Sequence, residues 1–221
     1  MPIATAVCTS FKQELLQGGH CIAQPAVGTW RINVNLSNTV TISSGSALIS
    51  IGMGISSDAP IPFAAGTRIA GLNLPSSFSV YPAGTSIRNN VTPILLPDQF
   101  KIALIKLAPT GTYNAGSTNY SNITSVSDET VGTGYTVGGV LIIMGTINIV
   151  GGGANFTVAV QPSWTSATFS TSGCMIYSTE SRLAGVSGRA MTVISFGNQT
   201  ITNGTFTVLL PTASPGLIQL A

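Results

Sequence analysis

From Phe100 to Leu210, short apolar segments recur roughly every 10–15 residues, with glycine and asparagine signals between them and no helical periodicity. The clearest is Phe100-Lys101-Ile102-Ala103-Leu104-Ile105-Lys106-Leu107. Phe100, Ile102 and Leu104 fall on one face of a strand, and Ala103, Ile105 and Leu107 on the other. Both faces are mostly apolar, which predicts a strand at the centre of a sheet. Val140–Ile149, Phe156–Val160, Thr165–Phe169, Cys174–Tyr177, Met191–Phe196 and Thr205–Leu210 follow as further strands. Turns are expected between them at Gly151-Gly152-Gly153, Ser172-Gly173, Gly185 to Gly188, Gly197-Asn198 and Asn203-Gly204, the last being a strong hairpin signal. Such a succession allows a sandwich, a jelly roll or an antiparallel barrel.

One segment reads as helix, Thr9 to Gln17. Ser10 is expected to cap its N-terminus with Gln13 as capping-box partner, Phe11 and Leu15 share a face, and Gly18 closes it. Two to three turns are not stable alone, so this helix must dock on something. Residues 30–97 form a separate piece, in which Pro60, Pro62, Pro75, Pro82, Pro93 and Pro97 concentrate. Within it Phe63-Ala64-Ala65-Gly66-Thr67-Arg68-Ile69 is echoed by Tyr81-Pro82-Ala83-Gly84-Thr85-Ser86-Ile87. Two copies are too few for a solenoid, and the pattern predicts two hairpin corners of a small β-subdomain. The expected organisation is an N-terminal arm and helix over 1–29, an inserted β-subdomain over 30–97 and a main β-sandwich over 98–221.

Composition narrows the functions open to such a chain. Only 6% of the residues are charged, against about 25% in an average soluble domain, while 44% are hydrophobic and the mean hydropathy is +0.44. Intrinsic disorder needs the opposite balance. Eight basic against six acidic residues, scattered along the chain, leave no electrostatic footprint for nucleic acid. The longest apolar run, Val140–Met144, falls far short of the roughly 20 residues of a spanning helix. No secretory leader is visible, and the aromatic girdles of a membrane barrel are missing, so no membrane partner is expected. So little charge does little to hold copies apart, which points to assembly.

Candidate chemistry is sparse. Cys8, Cys21 and Cys174 do not make a disulfide framework; they read as a Cys8–Cys21 bridge or as three small buried hydrophobes. The single histidine, His20, beside Cys21 and with Glu14 nearby in sequence, is weighed as a nucleophilic dyad against a plain loop histidine, and the latter is preferred. Asp128 and Glu129 are adjacent and would point to opposite faces of a strand, which spoils them as a glycosidase pair and favours a solvated loop. Gly132 to Gly139 lacks dinucleotide-loop spacing and reads as a turn between strands. His20-Cys21 has no second ligand pair at zinc-finger spacing, and the Asn-x-Ser/Thr triplets arise by chance in so Ser/Thr/Asn-rich a chain. No catalytic, cofactor-binding or metal-ligating residue is expected.

Several blocks together resemble small tailed-bacteriophage virion proteins: Ala4 to Leu16, Asp98-Gln99-Phe100-Lys101-Ile102-Ala103-Leu104, Val131-Gly132-Thr133-Gly134-Tyr135-Thr136-Val137-Gly138-Gly139, Trp164 to Phe169, Gly173 to Tyr177, and Ser195 to the closing Leu217-Ile218-Gln219-Leu220-Ala221. The likeness covers about 1–29 and 98–221, and 30–97 departs from the pattern. It implies a capsid cement or decoration protein: an all-β, jelly-roll-like antiparallel β-sandwich with a short N-terminal helix and an inserted subdomain. Such a protein would be made in the host cytoplasm and sit as a homotrimer on the outer surface of the phage head, bridging copies of the major capsid protein. Phe11, Leu15 and Leu16 are the expected partner interface, weighed against packing of the helix on its own sandwich. The alternatives are a tail, neck or fibre-base protein, and a carbohydrate-binding module using Trp30, Trp164, Tyr113, Tyr120 and Tyr135 as exposed aromatics.

Overall fold

In a computed structural model of the protein, the residues described are 3–16, 20, 31–44, 54–57, 63, 67–73, 77–84, 87–91, 93–96, 98–150, 153–179, 187–212 and 218–220. In chain order the elements are β1 (Ala6–Val7), α1 (Thr9–Leu16), β2 (Arg31–Val34), β3 (Thr39–Ser44), β4 (Gly54–Ser57), β5 (Arg68–Asn73), β6 (Ser77–Tyr81) and β7 (Arg88–Val91). They continue as β8 (Pro93–Leu96), β9 (Phe100–Lys106), α2 (Ser121–Thr124), β10 (Val140–Val150), β11 (Gly153–Val160), β12 (Ser163–Ser178), β13 (Ala190–Thr207) and β14 (Ile218–Leu220). The fold is all-β, built of curled antiparallel sheets, and neither helix is longer than eight residues. No described helix is long and apolar enough to cross a membrane.

The chain divides into two compact units. Unit 1 comprises Met1–Gln17, Gln99–Ser181 and Gly185–Ala221; unit 2 comprises Gly18–Asp98 and Arg182–Ala184. Unit 1 is organised on one seven-stranded sheet in the order β1-β13-β12-β9-β10-β11-β14. β9 lies in the middle, and its Phe100, Ile102, Ala103, Leu104 and Ile105 are fully buried, as apolar residues on both faces require. Burial of each large side chain contributes about 1.5–3 kcal/mol.

Three expected turns are instead interruptions within strands. β12 runs through Ser172-Gly173 with a register shift between Thr171 and Gly173, and β13 runs through both Gly197-Asn198 and Asn203-Gly204. Gly197 (φ 73°) and Asn203 (φ 47°) take the left-handed conformation their types tolerate, and the chain kinks without reversing. Pairing decides this: Gln199, Thr200 and Ile201 stay in ladder with Thr171, Ser170 and Phe169, so the local turn preference yields to cross-strand contacts.

The helix starts earlier than its capping signal. Ala6 and Val7 pair with Val193 and Thr192, and the Cys8 N–H donates to the Met191 carbonyl at 2.9 Å. That strand contact leaves Thr9 as the first helical residue, and the Lys12 N–H closes the first turn on the Cys8 carbonyl at 3.3 Å. Ser10 therefore lies inside the helix, its hydroxyl buried with no hydrogen-bond partner. Phe11 is fully buried edge-on to Phe100, ring centroids 6.5 Å apart, and Glu14 pairs with Arg189 at 3.2 Å.

Unit 2 carries its own seven-stranded antiparallel sheet, in the order β7-β2-β3-β6-β5-β4-β8. Its two outermost strands end and begin at Val91 and Pro93, with one residue between them. Two peptide steps span at most about 7.6 Å, so the edges of the sheet must meet at that corner. The curl encloses Ile32, Val34, Val40, Ile55, Phe63, Ile69, Phe78 and Val80. The echoed motif leads into a strand at each copy, Thr67 into β5 and Ile87 into β7, while its corner residues 64–66, 85 and 86 lie outside the described residues. The copies differ in burial: Phe63 and Ile69 are in the core, whereas Tyr81 and Ile87 are 72% and 63% exposed.

Candidate interaction surface

The segment after β9 crosses the sheet end as a long loop, from Leu107 to Gly139, held from beneath by two carboxylates. Residues 128–130 run antiparallel along β9: the Lys106 N–H donates to the Asp128 carbonyl (2.8 Å), the Thr130 N–H to the Leu104 carbonyl (2.9 Å), and Glu129 bridges Ile105. Strand geometry turns the two side chains to opposite sides. The expected opposition of Asp128 and Glu129 is thus met, but the solvated loop is not. Asp128 is wholly buried and Glu129 7% exposed, because each is surrounded by donors.

Asp128 accepts from the Thr110 N–H (3.0 Å) and hydroxyl (2.7 Å), the Gly111 N–H (2.7 Å) and the Tyr113 hydroxyl (2.6 Å). Lys106 Nζ adds an ion pair at 2.9 Å. Burial by itself would raise the Asp128 pKa; the bonds from Tyr113, Thr110, Gly111 and Lys106 outweigh it and hold the carboxyl well below the usual carboxylate range. Glu129 accepts from the Tyr120 hydroxyl (2.5 Å), the Tyr135 hydroxyl (2.7 Å) and the Gly138 N–H (2.7 Å). Tyr177 stacks on Tyr120, centroids 4.3 Å apart, and donates its hydroxyl to the Gly138 carbonyl at 2.8 Å. Burial, followed by the neighbouring carboxylate, pushes the Tyr113, Tyr120 and Tyr135 phenols upward, and Tyr177 up to about 12. These phenols stay protonated donors at neutral pH, which clamps the loop.

Glycine is required where the loop closes on β9. At Gly139 (φ 66°) a Cβ would run into the Ile102 carbonyl. The loop so held displays Val131 and Val137, 74% and 66% exposed, beside Leu107. With Lys106 and Ser170 they line an open groove of about 630 Å³. Val131, Val137 and Leu107 thus give the held loop a small apolar area at its surface.

The residues singled out in the sequence lie elsewhere. Phe11 packs inside unit 1, Leu15 is half-buried, and the Leu16 side chain lies outside the described residues. For Phe11 the structure shows packing of the helix on its own unit. His20 is not a plain loop histidine: its Nδ1 lies 2.9 Å from Asp98 Oδ2, with both side chains almost fully buried. That pair joins the first and last parts of unit 2. Cys8 is a free buried thiol, pushed up to about 11 by burial and then Glu14, and Cys174 is likewise free and buried, so both are poor nucleophiles. Cys21 lies outside the described residues. Of the aromatics weighed for stacking on sugars, Trp164 and Tyr113 are buried and Tyr120 and Tyr135 half-buried in the clamp, while Trp30 lies outside the described residues. Trp164 instead joins Phe169, Phe206 and Tyr135 in one aromatic cluster. No group of three metal-ligating side chains occurs among the described residues.

Leu107, Val131 and Val137 were missed as a surface because spacing alone reads them as strand or turn residues. The legible signal was two valines in a loop too rich in glycine to bury them. Comparison of the chain with protein-family models, with curated proteins and with solved structures found no match.

Proposed function

We propose that this chain is a structural protein of a tailed-phage virion, a cement protein that stabilises the icosahedral head by bridging capsomers of the major capsid protein. The observation that carries the reading is the rigid apolar surface of Leu107, Val131 and Val137 on a scaffold with few charges. The described ionisable groups of the loop are spent on holding it: Asp128 and Glu129 bind donors of their own chain. A clamp that binds only the assembled lattice stabilises it by mass action, and several weak contacts acting together multiply the effect. β-Strand addition to a capsid strand would supply further contact.

The test adds purified protein to heads that lack it. Decoration should raise the temperature at which heads release DNA, and Val137→Asp, at an exposed position, should weaken decoration about tenfold or more while leaving the fold intact. Attachment to tails, or unchanged head stability, overturns the assignment.

A further inference from the structure

Asn-Gly occurs once in the chain, at Asn203-Gly204. The pair lies inside β13, and the fold favours both residues there. Asn203 takes the left-handed conformation (φ 47°), which asparagine tolerates better than most residues with a side chain. Gly204 stands close against Ile201: a Cβ would come within 2.7 Å of Ile201 Cδ1, so a larger residue needs Ile201 to shift. Chemically the pair is labile. An asparagine amide is open to attack by the backbone nitrogen of the next residue, and glycine puts no side chain in the way.

The sheet leaves this pair accessible. Asn203 is exposed. Its backbone N–H donates to Thr168 Oγ1 at 2.9 Å, while among the described residues nothing hydrogen-bonds its side-chain amide. Gly204 pairs with Ala167, and the register shifts on both sides of Ala167, towards Trp164 and towards Phe169. Ser166, on the facing strand, is also left-handed (φ 50°). A single regular pair between two irregular steps opens at lower cost than the continuous run of Cys174, Met175 and Ile176 against Ile194, Val193 and Thr192.

We propose that Asn203 is a site of spontaneous covalent modification. The Gly204 nitrogen attacks Asn203 Cγ. A C–N bond forms, the Gly204 amide proton leaves, the Cγ–Nδ2 bond breaks and ammonia departs. Water then opens the cyclic imide: cleavage at Cγ leaves aspartate, and cleavage at the main-chain carbonyl leaves isoaspartate. No Lys, Arg, Asp or Glu occurs from Thr130 to Thr179 or from Ala190 to Ala221, the stretches that supply β10 to β14. Either product therefore sets the first charged side chain on those strands. Isoaspartate also adds a carbon to the main chain of β13, beside the pairing of Phe206 with Trp164. The change marks aged copies and loosens this end of the β12–β13 ladder. It is separate from the loop surface and holds whatever the chain binds.

Incubation of the full chain at mildly alkaline pH, with peptide mass mapping and fragmentation to place the site, reads the conversion. Asn203 should convert about tenfold or more faster than Asn114 and Asn198, which are also exposed but are followed by Ala115 and Gln199. Ion exchange should show an acidic species growing on the same time course. That species should be absent from Asn203→Gly, which accepts the left-handed conformation and has no amide to lose. Gly204→Ala should slow conversion about tenfold, and because it also presses on Ile201, Asn203→Gly carries the assignment of the charge. Conversion of Asn203 no faster than of Asn114 and Asn198, an acidic species that persists in Asn203→Gly, or conversion confined to a urea-unfolded sample overturns the site.

Discussion

Among the described residues, unit 2 buries eight apolar side chains inside a curled sheet and places the buried contact of His20 with Asp98 at the two ends of its main segment, Gly18–Asp98. Unit 1 also has an apolar centre, at β9, but sets two carboxylates beneath its longest loop and surrounds them with tyrosines and backbone N–H groups. The difference teaches what each arrangement holds in place. Apolar burial is non-directional and stabilises a shape; a hydrogen-bonded carboxylate fixes particular atoms, and here it fixes the loop that displays Val131 and Val137. The exposed apolar surface belongs with the second device, because a floppy loop would fold its valines inward or lose them to entropy on binding.

The comparison breaks most readily at Asp128. Asp128→Ala strands the Thr110, Gly111 and Tyr113 donors and leaves Lys106 only its bond to the Ser127 carbonyl, at a cost of about 3–5 kcal/mol. Hydrogen exchange should accelerate through residues 107–139, and unchanged protection there would show that the carboxylate does not hold the loop. Unit 2 gives the next effect, through its sequence echo. Ile69→Ala should cost about 2–5 kcal/mol by opening the core, while Ile87→Ala, at the matching but exposed position, should stay within about 0.5 kcal/mol. Equal losses in thermal denaturation would mean that the copies are equivalent after all.

Acid should distinguish the units more gently. The folded-state pKa of Asp128 is depressed, so its contribution is fully present above the unfolded value of about 3.9 and is lost as pH falls through the folded one. Exchange protection of the 107–139 loop should therefore decline below about pH 4 in the wild type. The same decline in Asp128→Asn would assign the acid sensitivity to another group.

Periodicity made the sheets legible. The apolar faces of Phe100–Leu107 specify a central strand, and β9 is central. The docking of the short helix also followed from its length, since two to three turns cannot stand without a partner. The candidate surface was less legible. Val131 and Val137 are separated from their supports Tyr177 and Leu104 by tens of residues, and no local rule says that Glu129 will collect three donors. Ser10 failed as a cap for a similar reason: a good local signal lost to the pairing of β1 with β13.

Apolar alternation, turn residues and a shortage of charge together determined an all-β class, because they set which faces can be buried and how often the chain must bend. Only the tertiary structure decided that Asn203-Gly204 kinks within a strand, that two matching isoleucines have opposite burial, and that two adjacent carboxylates expected in a solvated loop are both buried. Each of these depends on what a residue meets across the sheet, and cross-strand neighbours are set by register, which sequence spacing does not contain.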